Sequence, residues 1–529
     1  MHLGIDFGTT RSVVALADRG NYPVVTFSGH DGDTYDYYPS VCAVNGDEFR
    51  FGFDALAVAG QPGWELHRSF KRFLHGADGG FERHARLGDH SIRVVELISR
   101  FLQQLKLDLG TRSSLPKGTH VDELPAALAV PANAHSGARL ITLEAFRLAG
   151  YQVVAMLNEP SAAGVEYAHH YRSTITAKRE NVLVYDLGGG TFDTTLVLMS
   201  DRKHDVLKSR GITRLGGDDF DDALLDLALK QLSFERADLP PGALTRLQNQ
   251  CREQKEKMHA NTRRILLEVG DALTEPERAA LGIEHDRICI VPAEAYRQVC
   301  EPLVDRTLEV LEKLEHEWAV ESGNEQRADL AGVYIVGGAS ALPFVSRRLK
   351  DVYGRRTHRS HYPSCAIAIG LAIALDEHAG FEVTERFSRQ FGVFREGLRG
   401  ERVEFDVIFD SDIELPTDGG VREVRRRYAP THNVGHYRYV ECGWLDAKGA
   451  PSGDITSFSD VYFPFDRSLR SNAALERQDV LRASHPFCEV EERYRVDRHG
   501  IVELTIVDVN DGYERTQRLT QTDKQCRAS

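Results

Sequence analysis

Two short turns carry the residue types best suited to chemistry. Near the N-terminus, HLGIDFGTT places Asp6, then Gly8, then the hydroxyls of Thr9 and Thr10. VLVYDLGGG, 180 positions later, places Asp186 before Gly188, Gly189 and Gly190, with Thr191 next. Leu3 maps onto Leu183, Asp6 onto Asp186 and Gly8 onto Gly188. Each run reads as apolar strand, aspartate, Gly-containing turn and a second β-rich strand, at 12–17 and 194–198. Turns without Cβ atoms let backbone N–H groups close on an anion, and successive N–H groups form anion-binding nests. A carboxylate just before each turn suits a hydrated Mg²⁺ that bridges phosphate oxygens, because this ion keeps several waters and takes few carboxylates. Either turn alone reads equally as an ordinary hairpin. The matched pair predicts two duplicated lobes that present one acidic hairpin each across a cleft.

A third glycine site, VYIVGGASALP at 333–343, is a strand, a Gly337-Gly338 turn and a helix start, where backbone can approach a flat ring or ribose. By itself such a junction is common punctuation. Other phosphate-binding signatures are missing: there is no Gly-Lys dipeptide for a P-loop and no strand-linked GxGxxG.

The elements that must hold these turns follow from periodicity. Up to about residue 378, β-rich runs (12–17, 126–130, 182–187, 333–338) alternate with helical patterns (94–105, 138–148, 220–232, 303–317), which predicts an α/β architecture. From about residue 391, RVEFDVIF, HYRYVE, EVEERYRV and IVELTIVDV alternate apolar with polar residues, and DRHG (497–500) supplies a hairpin turn. The expected organisation is an ATPase-like unit over 1–378, a polar linker over 379–390, an all-β sandwich over 391–520 and a tail over 521–529.

The chain has 529 residues, and its 79 acidic against 65 basic side chains give a net charge of −14. That balance argues against nucleic acid or an anionic membrane as the main partner. No apolar run reaches the roughly 18 residues needed to span a bilayer, and MHLGIDFGTT does not read as a signal peptide. Eight cysteines without a CxxC pair read as reduced thiols, which predicts the cytoplasm.

GIDFGTT (4–10), NEPSAAGVEYA (158–168), VYDLGGGTFD (184–193), LGGDDFD (215–221) and VGGASALP (336–343) resemble, in order and approximate spacing, the heat-shock protein 70 ATPase domain. VYDLGGGTFD is highly specific to that family; the others are shared more loosely with actin and sugar kinases. The resemblance implies a two-lobed actin-like, duplicated ribonuclease-H-like ATPase followed by a peptide-binding β-sandwich. It implies ATP and Mg²⁺, with K⁺ as an accessory ion. It assigns Asp6 and Asp186 to the Mg²⁺ water shell, Asp193 to a monovalent cation, and Gly8, Thr9, Thr10 and Gly188–Gly190 to the phosphates. Lys71 matches the lysine beside the transferred phosphoryl, Glu159 the carboxylate that positions water, and Thr191 the threonine beside the γ-phosphate; Asp186 joins them as catalytic. Gly216, Gly217, Lys255, Gly337 and Gly338 fall to the nucleotide. From the residues alone, Lys71 reads as a solvated helix or loop lysine. Glu159 likewise reads as an acid favoured at a helix start.

Departures from the family pattern carry their own expectations. Arg252, Glu256 and His259 replace a glutamate, an arginine and a serine of the family's adenosine clamp, and Ala341 replaces a second arginine. Two lost guanidiniums forfeit stacking of about 1 kcal/mol each, so weaker ATP binding or another nucleotide is expected. CEVEERYRVDRHGIVELTIVDV (488–509) is similar to the last hairpin of the family's sandwich. Pro131 and Arg139 match interdomain relay residues. Ala155 replaces the arginine that engages J-domain co-chaperones. No segment corresponds to the family's helical lid, which predicts rapid peptide exchange. The polar linker predicts weak docking and weak coupling.

The function implied is nucleotide-regulated binding of unfolded or extended polypeptide, with a J-domain protein and a nucleotide exchange factor as partners. The alternative is an ATP-dependent scaffold for one folded partner. A small-molecule kinase is disfavoured, since no extra substrate domain accompanies the core.

Overall fold

The computed structural model describes all residues except 75–82, 201–202, 213, 324–328, 398–401, 412, 418, 447, 454, 458–459, 473 and 519–529; the expected tail lies outside the described residues. The repeat of acidic turns is a repeat of whole sheets. His2–Asp6 pairs antiparallel with Arg11–Ala17, and Asn181–Leu187 pairs the same way with Phe192–Ser200. Beside each hairpin runs a parallel strand, Pro125–Val130 in the first lobe and Leu330–Val336 in the second. A further parallel strand follows in each, Gln152–Asn158 and Thr357–Arg359. Parallel neighbours require crossovers, and the helices Ser136–Leu148 and Pro343–Tyr353 supply them. The helix expected at 303–317 is the middle of Ala293–Ser322, whose Val304, Leu308 and Leu311 cover the second sheet.

Two helices form the back of the cleft. Ala366–Leu375 reads AIAIGLAIAL, apolar all round, because it is enclosed on every side. Ile369 and Ala372 face Val13 and Ala15 of the first lobe, while Ile367 and Leu371 face Val182 and Val184 of the second. At Gly370 it meets the helix Glu159–His170 backbone to backbone, since a Cβ there would stand 1.8 Å from the Ala162 carbonyl oxygen.

The C-terminal region is β-rich. One sheet has the order Arg402–Phe409, Gln390–Gly397, Tyr439–Cys442, Thr456–Ser457, and the other Val421–Tyr428, Val490–Asp497, Val502–Asp508, Glu514–Arg518. Phe391 and Val393 of the first share a core with Tyr494, Val496 and Leu504 of the second. The hairpin around DRHG is present, with Val496 opposite Val502 and Gly500 at φ 72°.

The segment expected to be a poorly docking polar linker is docked. Glu382–Thr384 pairs in parallel with Lys203–Asp205 at the edge of the second lobe's sheet. Phe381 and Val383 pack on the apolar clusters around the two back helices, and Phe387 enters the β-rich core. The average polarity of the segment hides the alternation of Phe381 and Val383 with polar neighbours, which turns this pair toward the back helices.

Polar contacts reinforce this docking. Ser136 N–H donates to Glu441 Oε2 at 3.0 Å, and the Arg389 guanidinium lies 3.6 Å from that carboxylate. Arg139 donates to the His499 carbonyl at 2.7 Å and to Asn158 Oδ1 at 2.8 Å. Asn158 N–H in turn donates to Glu385 Oε1 at 2.8 Å. Burial pushes the Glu385 and Glu441 carboxyls up and the Arg139 guanidinium down.

Candidate functional site

Between the lobes lies a cavity of about 360 Å³, within the range of small-ligand sites. Its wall includes Asp6, Gly8, Thr9, Thr10, Lys71, Glu159, Asp186, Gly188, Gly189, Thr191, Gly217, Lys255, Gly337 and Gly338. Gly190, Gly216 and Asp193 lie outside the lining. The two turns meet tip to tip: a Cβ on Gly189 would stand 2.9 Å from Thr10, and one on Gly190 would stand 3.0 Å from Thr9 Oγ1. LGGDDFD braces the second turn from behind, where Gly217 N–H and Asp218 N–H donate to the Gly188 and Gly189 carbonyls at 2.9 and 2.8 Å. Asp193 stands opposite Asp186 across the hairpin and accepts from Asn133 Nδ2 at 3.3 Å.

Lys71 is not a solvated surface lysine. It sits in the 3₁₀ turn Phe70–Leu74, entered through Ser69 at φ 53°, whose hydroxyl donates across the cleft to Asp218 at 2.7 Å. Its ammonium is buried and donates to Glu159 Oε1 at 3.0 Å. Burial opposes that charge, but Glu159, Asp6 and Asp186 together outweigh it and hold the Lys71 pKa above its usual value. Glu159 opens the helix Glu159–His170 with Pro160 in the first turn, and the helix dipole favours an acid there.

The carboxylates are crowded. Burial, then the Glu159 charge, pushes Asp6 up to about 7, and the same two causes raise Asp193 to about 7 and Asp186 well above the usual range. Asp186 Oδ1 is buried without a hydrogen-bond partner among the described residues. Two facing buried carboxylates, one with an orphaned oxygen, fit a hydrated Mg²⁺. Such an ion would supply positive charge to phosphate oxygens, and Asp6 and Asp186 would hold its water shell.

Charged pairs that the motifs did not announce also shape the cavity. Arg252 pairs with Asp218 at 2.9 Å and Asp221 at 3.1 Å, and Lys255 pairs with Asp221 at 2.7 Å while donating to the Gly217 carbonyl at 2.6 Å. The i,i+3 spacing of both pairs puts two acids and two bases on facing helix surfaces, a signal the sequence did contain. Arg11 and Glu256 join across the cleft mouth, with Arg11 4.3 Å above the Tyr37 ring; no local pattern announces that pair. Arg359, Pro363 and Ser364 complete the wall near Ala341.

Gly337 is the tightest point. At φ 86° its Cβ would lie 2.4 Å from Asp186 Oδ1 and from the Leu187 carbonyl oxygen. Gly337→Ala combines left-handed strain of about 1–2 kcal/mol with that clash, so nucleotide affinity by calorimetry should fall at least tenfold. Unchanged affinity would show that the turn does not support the site.

A second cavity, of about 680 Å³, opens in the β-rich region, walled by apolar Val434, Phe465 and Val480 and by Arg395, Asp406 and Tyr428. Arg395 pairs with Asp406 at 2.7 Å and with fully buried Glu492 at 2.6 Å. Tyr428 and Tyr494 donate to Glu492 at 2.6 and 2.5 Å.

A family model described as Hsp70 protein matches residues 78–387. The chain is 32% identical to a chaperone protein HscA homolog of Burkholderia multivorans over 72% of its own length and 58% of that protein's. It is 28% identical to the chaperone protein DnaK of Halobacterium salinarum over 70% and 55%, and 29% identical to that of Mesomycoplasma hyopneumoniae over 70% and 57%. The chain thus spans less than two thirds of these curated relatives. With facing acidic turns in duplicated lobes and a family match over more than half its length, the chain belongs to the Hsp70 family, as a divergent member of the actin-like ATPase superfamily.

Proposed function

We propose that the chain hydrolyses ATP in the interlobe cavity and that its nucleotide state controls binding of unfolded or extended polypeptide by the β-rich region. The observation that carries this reading is the buried Lys71–Glu159 pair beside Asp6 and Asp186, between two opposed Gly turns. In hydrolysis, a water oxygen bonds to the γ-phosphorus as the bond to the β–γ bridging oxygen breaks, and ADP leaves. This chemistry needs positioning and electrostatics more than covalent help. Gly8–Thr10 and Gly188–Gly190 would hold the phosphates, Glu159 would orient the water, and Lys71 would meet charge developing on the phosphoryl oxygens. Thr191 would hold the γ-phosphate, and Asp193 would adjoin a K⁺ ion.

The cavity beside Arg395 is the proposed polypeptide site. The charged Arg395, Glu396, Asp406, Arg426 and Arg427 in its wall favour a second reading, a scaffold for one folded partner, because a charged wall suits generic apolar segments poorly. A J-domain protein and a nucleotide exchange factor are further proposed partners, with Ala155 weakening the first. Seven described cysteines are free and buried, which supports a reducing compartment such as the cytoplasm; no helix among the described residues is long and apolar enough to cross a membrane. The test is calorimetry with ATP, ADP and GTP, with and without Mg²⁺, followed by single-turnover hydrolysis. Mg²⁺-dependent ATP binding with release of phosphate is expected; absence of nucleotide binding would refute the proposal.

A further inference from the structure

We propose that Arg359 holds the base of a bound purine nucleotide, supplying the guanidinium that Ala341 cannot; this rests on the nucleotide-binding reading above. Among the described residues, five cationic ones line the cavity: Arg11, Lys71, Arg252, Lys255 and Arg359. Four are already committed to carboxylates, Arg11 to Glu256, Lys71 to Glu159, Arg252 to Asp218 and Asp221, and Lys255 to Asp221. Arg359 is exposed and has no side-chain partner among the described residues. Among the described residues that line the cavity, this guanidinium is the one left for a ligand.

Its place in the sheet says which part of the ligand it meets. Arg359 ends the strand Thr357–Arg359 opposite Ile335 of Leu330–Val336. On the far side of that strand, Val336 stands opposite Asp186. Neighbouring strands lie about 4.8 Å apart, so Arg359 stands two strands, about 10 Å, from the strand that carries the second phosphate turn. Gly337-Gly338 lies between them, and Gly337 N–H donates to the Pro363 carbonyl at 2.9 Å, which fixes the wall beside Arg359 to the turn. Phosphates seated at Gly188–Gly190 therefore leave the base, not the phosphate chain, toward Arg359. The small side chains of Ala339 and Ala341 leave room there for a flat ring. A guanidinium stacks on such a ring and donates to its nitrogens in a way that an ammonium does not.

Calorimetry on the full chain with Mg²⁺ separates base from phosphate, using ADP and, as a probe without a base, inorganic pyrophosphate. Arg359→Ala should weaken ADP about tenfold and leave pyrophosphate affinity unchanged. Arg359→Lys should recover little, because it keeps the charge and loses the plane. ADP affinity within twofold of wild type in Arg359→Ala would overturn the assignment. So would an equal loss for pyrophosphate, which would give Arg359 to the phosphates, or full recovery in Arg359→Lys. Wild type that binds pyrophosphate but not ADP would overturn it too, and wild type that binds neither would bring down the nucleotide reading itself.

Discussion

Replacing Lys71 by alanine should lower single-turnover ATP hydrolysis by about 10²–10³-fold while Mg²⁺·ATP still binds. On the proposed reading binding should survive because the Gly turns would hold the phosphates through backbone, whereas the ammonium would matter most as charge shifts onto the phosphoryl oxygens. The structure adds a complication that sequence reading lacked. Lys71 and Glu159 form a buried pair, and removing one partner of such a pair costs about 3–5 kcal/mol of stability. A loss of activity could then reflect a loosened lobe. The double variant Lys71→Met with Glu159→Gln removes both charges and keeps the volume, so thermal stability should return toward wild type. Hydrolysis should stay lost. Wild-type turnover in Lys71→Ala would take Lys71 out of the mechanism, and recovered turnover in the double variant would make the pair structural.

Glu441→Ala should release the β-rich region from the ATPase lobes. Glu441 is fully buried, accepts from Ser136 N–H and pairs with Arg389. Its loss leaves a buried donor unsatisfied and strips Arg389 of that carboxylate, a cost of about 3–5 kcal/mol concentrated on the docked state. The radius of gyration by small-angle scattering should rise, and proteolysis within 379–390 should accelerate. Polypeptide should also lose its effect on hydrolysis. The route is short: Glu385 accepts from Asn158 N–H, Arg139 joins Asn158 to the His499 carbonyl, and the residue after Asn158 is Glu159. Linker composition alone predicted weak coupling; the strand pairing at Glu382–Thr384 predicts the opposite. Unchanged scattering and proteolysis in Glu441→Ala would show that these contacts do not hold the regions together.

What was legible in the sequence follows from how narrowly a position is constrained. A tight Gly-containing turn at the end of a hairpin tolerates few residues, so Asp6, Gly8, Asp186 and Gly188–Gly190 could be read as a repeat, and the sheets repeat with them. Long-range pairs leave no local trace. Arg11 and Glu256 are 245 positions apart, and nothing near either marks the bridge. Lys71 gave no sign of burial because its carboxylate partner lies 88 positions away. The linker misled because its mean polarity conceals the alternation of Phe381 and Val383 with charged neighbours. Arg359 drew no notice because its role depends on which other cations are already paired.

The most direct test of the central claim follows release of a labelled unfolded polypeptide from the full chain after addition of ATP·Mg²⁺ or ADP·Mg²⁺. A nucleotide can shift the polypeptide site only by its differential affinity for the two conformations, about 1.4 kcal/mol for each tenfold change. Release about tenfold or more faster with ATP than with ADP is predicted, with the difference abolished in Glu441→Ala. Equal release rates with both nucleotides bound would contradict the account.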